Sequence, residues 1–136
     1  MELSVEPFRY LTAGSDIPLG AAAETPAVVM GDVCLLSGQI GLDSDTGALI
    51  EGTTAEELEQ ALANLFSVAA DVGFSPGEIA LIVMVVTDVG QLPALNAAYA
   101  AALPDGHRPA RMMFEAAALP FGARVEVQGI ATRQAA

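Results

Sequence analysis

The sequence is short of cations and almost free of cysteine. Five basic residues stand against 17 acidic ones, leaving a net charge of -12 over 136 residues. So acidic a chain is poorly suited to gripping phosphate backbones, which takes clustered Lys and Arg. No nucleic-acid partner is expected. The single Cys34 forbids an internal disulfide and a cysteine-rich zinc site. No charged-then-apolar leader opens the chain, and no apolar run approaches the roughly 18 residues of a membrane span. The expectation is a cytoplasmic protein without a membrane partner. Nucleophile elbow, phosphate loop, dinucleotide fingerprint and zinc spacing are all missing. What is present is apolar: hydrophobic residues make up 53% and charged ones 16%. That excludes a disordered tail or a coiled coil. The length fits one domain over residues 1–136 with a substantial core.

Residues 1–25, broken by Pro7, Gly14, Pro18 and Gly20, read as mostly loop with one short strand. Ala27 to Met30 and Val33 to Ser37 read as a hairpin whose Gly31-Asp32 turn uses the positive φ open to glycine. Gly38 to Gly47 reads as a loop. The spacing predicts a helix from Ala55 to Val72, with Thr54 and Glu57 as a capping box. Leu58, Ala61, Leu62, Leu65, Ala69 and Val72 form its buried face, and Gly73 stops it. Ile79 to Thr87 reads as a strand buried on both faces. A second helix is expected over Leu92 to Leu103, with Leu92, Leu95, Tyr99 and Ala102 facing inward and Pro93 in its first turn. Arg111 to Leu119 and Arg124 to Thr132 read as closing strands. The fold expected is an α+β sandwich, a mixed six-stranded sheet with two helices on one face. The composition is too apolar to leave the other face in water, so a symmetric homo-oligomer is expected to cover it.

Few residues are left to carry chemistry. His107, between Gly106 and Arg108, reads as a solvated turn residue, and Cys34, among Val33, Leu35 and Leu36, as a small buried hydrophobe. Arg111 opens an apolar strand. Its two-pronged donor geometry suits either a ligand carboxylate or a salt bridge to one of the acids. Glu126, between Val125 and Val127, is either a solvated residue on a half-exposed strand or a carboxylate that activates water. Ser37-Gly38-Gln39 either lines a pocket or begins a loop. Asn96, midway along the second helix, is either exposed or turned to a site.

Taken in order, Ser37-Gly38-Gln39-Ile40, Asp45-Thr46-Gly47, Asn64-Leu65, Thr87-Asp88, Asn96-Ala97-Ala98-Tyr99, Pro109-Ala110-Arg111, Leu119-Pro120, Val125-Glu126-Val127 and Ile130-Ala131 resemble the reactive intermediate deaminase (Rid) family. The resemblance runs from about Met30 to Ala131. Each motif is weak alone, and their order and spacing together are specific. It implies a fold similar to bacterial chorismate mutase and a homotrimer with three clefts between subunits. It implies hydrolysis of small enamines and imines, such as 2-aminoacrylate, to keto acid and ammonia, with no metal or organic cofactor. The partner is then a small carboxylate-bearing imine, enamine or keto acid.

Carried over by position, Arg111 matches the arginine that clamps the substrate carboxylate, and Glu126 the glutamate near the attacking water. Ser37 and Gly38 match the residues lining the cleft, Asn96 a polar helix residue near it, and Met113 a position whose backbone contacts the ligand. The N-terminal segment departs from the pattern. Ala22-Ala23-Glu24 stands where the family usually has a Gly-Pro-Tyr tyrosine, and Gln128 stands where a second glutamate often follows. These departures keep two alternatives open: a different, pathway-specific substrate on the same scaffold, or a non-catalytic ligand-binding trimer. Some family members are named endoribonucleases, a reading the net charge disfavours.

Overall fold

The computed structural model describes residues 25–133 and the backbone of Arg9–Tyr10. Along the chain come β1 (Arg9–Tyr10), β2 (Ala27–Met30), β3 (Val33–Gln39), α1 (Thr54–Asp71), β4 (Ile79–Val86), α2 (Leu92–Ala102), β5 (Ala110–Glu115) and β6 (Val125–Thr132). The strands lie in the order β1-β2-β3-β6-β4-β5. Only β4 and β5 run parallel, so the sheet is mixed. Six strands are reached only by counting the two-residue β1. The working sheet has five, and this corrects the expected count.

The β2–β3 hairpin turns where expected, with Gly31 at φ 57. Gly73, at φ 88, likewise follows the end of α1. The start of α1 differs from the expected capping box. Thr53 is the N-cap, its side chain accepting the Glu56 N–H at 3.1 Å. Glu57 is thereby freed for another task, and it turns inward and is fully buried.

Leu58, Ala61, Leu62, Leu65, Val68 and Ala69 of α1 pack on the sheet with Leu95 and Tyr99 of α2. From the sheet they meet Cys34, Leu36, Ile82, Met84, Val86, Val125 and Val127. Strand β4 is not buried on both faces. Ile82, Met84 and Val86 are buried, while Leu81, Val83 and Val85 alternate with them half-buried. Within one chain both helices cover the same face, and nothing described covers the other. On that open face Leu35, Met112 and Phe114 are exposed. The first closing strand is shorter than the apolar pattern suggested, because β5 stops at Glu115, and a turn at Pro120–Gly122 leads into β6, which runs to Thr132 as expected.

Glu57 supplies the main polar tie inside the fold. One carboxylate oxygen accepts the Arg124 backbone N–H and the other the Arg124 Nε–H, each at 2.7 Å, while Arg124 Nη2 donates to the Gly52 carbonyl at 2.6 Å. The N-terminus of α1, the loop before it and the entry to β6 are thus fastened together. Asn64 adds a second tie, donating to the carbonyls of Ile40 and Leu42. Among the described residues no helix is long and apolar enough to cross a membrane.

Candidate functional site

The residues singled out in the sequence fall into two groups on opposite faces of the sheet. Register fixes this. Arg111 pairs with Ile82, and Met113 with Met84, whose side chains are buried under the helices. Glu126 pairs with Val85 and Gln128 with Val83, whose side chains alternate away from the helices.

On the helix side, Arg111 opens β5 beside α2. Its Nη1–H donates to Asn96 Oδ1 at 2.9 Å, and its guanidinium carbon lies 4.8 Å from the centre of the Tyr99 ring. Asn96 and Tyr99 are three residues apart on α2, so one helical face presents both. Asn96 is exposed and does turn to Arg111. The expected alternative of a salt bridge for Arg111 is not met, since the one ion pair among the described residues is Arg124–Glu57. Arg111 therefore keeps an uncompensated charge at its exposed edge. Burial pushes the Tyr99 phenol up, and the nearby Arg111 and Arg108 guanidiniums partly oppose that shift. Met113 is half-buried against the core, two residues along the same strand face.

On the open side, Ser37, Gly38, Val83, Val85, Glu126 and Gln128 line a concavity of about 280 Å³. A bulge builds it. Between the pairs Leu36–Gly129 and Gln39–Val127, β3 spends one residue more than β6. The extra residue opens the ladder and re-aims the neighbouring groups. Ser37 donates its hydroxyl hydrogen to the Thr25 carbonyl, which leaves oxygen lone pairs for the cavity. Gly38 makes room for the Glu126 carboxylate. A Cβ built there would overlap Oε1 and stand 3.0 Å from Cδ.

Across β4 the two groups are two strand spacings apart and three residues out of step, about 14 Å between Cα atoms. They also face opposite ways. One small molecule cannot touch both within a single chain.

His107, expected in solvent, is half-buried, and its Nε2 lies 2.8 Å from the Ile79 carbonyl, pinning the loop before β5 to the start of β4. A loop histidine without a flanking motif gave no sign of that. Cys34 is buried, as its apolar neighbours implied. Glu24 lies outside the described residues. Among the described residues no group of three or more His, Cys, Asp and Glu could hold a metal ion. Sequence reasoning placed Tyr99 in the core and missed that its ring also underlies Arg111. The signal available was its i+3 spacing from Asn96.

The family model described as Endoribonuclease L-PSP matches residues 18–133. A rat protein named 2-iminobutanoate/2-iminopropanoate deaminase is 32% identical over 125 residues, covering 92% of this chain and 90% of its own. A Salmonella typhimurium protein of the same name is 30% identical, covering 90% and 96%. The crystal structure of RidA from an Antarctic Psychrobacter superposes with a TM-score of 0.82 at 26% identity, covering 97% of this chain and all of that one.

Proposed function

The chain belongs to the endoribonuclease L-PSP (Rid) family, and on that premise we propose that it hydrolyses small 2-imino acids and their enamine tautomers to the keto acid and ammonia. We propose further that it does so in the cytoplasm as a homotrimer, with sheets inside in the manner of bacterial chorismate mutase. Its clefts then lie between subunits.

The observation that carries this reading is the placement of Arg111 and Glu126. Each belongs to a half-formed site, on opposite faces and about 14 Å apart. A second copy, seated on the exposed apolar sheet face, can bring one chain's arginine to the other's glutamate. The uncovered Leu35, Met112 and Phe114 support such a contact.

The chemistry asks for little. Arg111 offers its free N–H edge to the substrate carboxylate and fixes the imine carbon in place. Glu126 of the neighbouring copy takes a proton from a water aimed at that carbon. That proton passes to the imine nitrogen as the C–O bond forms, giving a neutral tetrahedral carbinolamine. Glu126 then carries the carbinolamine hydroxyl proton to the same nitrogen as the C–N bond breaks. Ammonia leaves and the carbonyl remains. Ser37, its hydroxyl hydrogen already committed, accepts a hydrogen bond from the water or from the imine N–H. Val83 and Val85 give the cavity an apolar wall suited to a short side chain.

RNA cleavage, which the family's description evokes, fits poorly with a net charge of -12.

The test follows decay of 2-iminobutanoate generated in situ by an amino acid oxidase, with semicarbazide as trap. Wild-type protein accelerates decay, and Arg111→Ala and Glu126→Gln each abolish the acceleration. Unfolded together and refolded as mixed trimers, the two inactive variants regain activity in about a quarter of their clefts, since half the donors of each residue are intact. Absence of recovery from well-folded mixed trimers would show that one chain supplies both residues, against the subunit-bridging site.

A further inference from the structure

We infer that Tyr99 is a positioning residue for Arg111: its ring face, not its phenol, holds the guanidinium in the plane from which it receives a carboxylate. The inference rests on the reading of Arg111 as the carboxylate clamp and assigns a role to a residue that otherwise belongs to the core.

Three observations support it. First, the guanidinium carbon lies 4.8 Å from the ring centre, within the reach of a cation–π contact. Second, the other support is a neutral amide at the guanidinium edge, where Nη1 donates to Asn96 at 2.9 Å. A ring beneath and an amide at one side restrict tilt and rotation without neutralising the charge. A carboxylate in either place would compete with the substrate, and a chain with 17 acids had many to offer. Third, the Tyr99 hydroxyl is buried and has no hydrogen-bond partner among the described residues. The phenol therefore adds no bond to the clamp, and the ring is the part that touches Arg111.

Position reinforces this. Tyr99 is only 6% exposed and packed with Leu95 and the α1 face. Its ring cannot move freely, so the guanidinium resting on it inherits the rigidity of the core. Arg111 sits on β5, which among the described residues is an edge strand paired with β4, and its side chain would otherwise sample many rotamers at an exposed position. Holding it costs entropy once, at folding, and not again at each binding event.

The test uses the whole protein, with Tyr99→Phe and Tyr99→Leu, and 2-oxobutanoate as the probe ligand. All five cations are arginines, so five side-chain Nε–H signals cover every one. The ring current of Tyr99 shifts the Arg111 Nε–H signal upfield in wild type and in Tyr99→Phe, and Tyr99→Leu abolishes the shift. Tyr99→Phe keeps the Kd for 2-oxobutanoate within about twofold, whereas Tyr99→Leu raises it about tenfold. The kcat for imine decay changes by less than about threefold in both, since the carboxylate clamp acts in ground and transition state alike.

An Arg111 signal indifferent to Tyr99→Leu refutes the contact. A signal that moves while Kd stays constant refutes the positioning role. Equal losses in Phe and Leu variants would assign the effect to the phenol and overturn the inference. If Tyr99→Leu does not fold, pentafluorophenylalanine at position 99 keeps the shape, removes the negative ring face and must raise Kd instead. Wild-type protein that neither binds 2-oxobutanoate nor hydrolyses imine refutes the deaminase reading, and the Nε–H comparison alone then decides the contact.

Discussion

Gly38→Ala separates the site from the fold more cleanly than a change at Glu126 itself. Gly38 has no positive φ, so alanine is acceptable to the backbone, and its loss of freedom in the unfolded chain stabilises by about 0.4–1 kcal/mol. The three atoms nearest the added methyl all belong to the Glu126 side chain: it overlaps Oε1 and lies 3.0 Å from Cδ and 3.2 Å from Cγ. An ordinary contact needs roughly 3.5 Å, so the carboxylate must withdraw by about 1 Å. That is a small strain for the end of a flexible side chain, and unfolding free energy should stay within about 1 kcal/mol of wild type. For catalysis the same displacement is large. A reacting group misplaced by about 1 Å costs on the order of 100-fold in rate. The assay pairs urea unfolding with imine decay on one preparation. Expected are a near-wild-type midpoint and a kcat about 100-fold lower. Glu126→Asp, one methylene shorter, restores space, so in the Gly38→Ala background it should cost less than it does alone. A Gly38→Ala protein with kcat within about threefold of wild type would mean that the carboxylate next to Gly38 is not in its working position.

Two other outcomes follow from the fold. The Glu57–Arg124 pair is asymmetric, because Glu57 is fully buried and the Arg124 side chain 43% exposed. Arg124→Ala strands a buried carboxylate and should cost about 3–5 kcal/mol, while Glu57→Gln leaves an arginine that reaches water and should cost less. Urea midpoints of the two variants check the order, and the reverse order refutes it. Burial raises the Tyr99 phenol against the opposing Arg111 and Arg108. The unfolded chain then loses that proton first, near pH 10, so the contribution is complete below that pH. It is lost as pH rises toward the folded value, by at most about 1.4 kcal/mol per pH unit. Tyr99→Phe should remove this alkaline slope between pH 9 and 11, and unchanged slopes in the two proteins would refute it.

Most of the fold was legible because its signals are local. The α1 face, the Gly31 turn and the apolar β4 run each follow from neighbours a few residues apart. What sequence could not show is set by distant partners. Thr53, not Thr54, is the N-cap, and Glu57, the would-be capping partner, is held instead by Arg124, 67 residues away. Strand β4 reads as buried on both faces because its outward residues are apolar as well, yet among the described residues these are only half-buried. In the candidate site, Arg111 and Glu126 were legible as residue types set in apolar strands. Their opposite facing was not, since it depends on register through β4. Tyr99 was hidden by its own periodicity, which marks it as core and says nothing of the cation resting on it.

The strand order carries a consequence for how the molecule comes into being. Strand β6, the last in sequence among the described residues, lies between β3 and β4 in the middle of the sheet. Its pairing of Val33 with Thr132 joins nearly opposite ends of the described chain. Until β6 inserts, β3 and β4 both present unpaired, apolar edges. Folding must therefore wait for β6 during synthesis, with long-range closure as the slow step. A nascent chain stalled before residue 125 would hold two sticky half-sheets and no central seam, a natural client for chaperones.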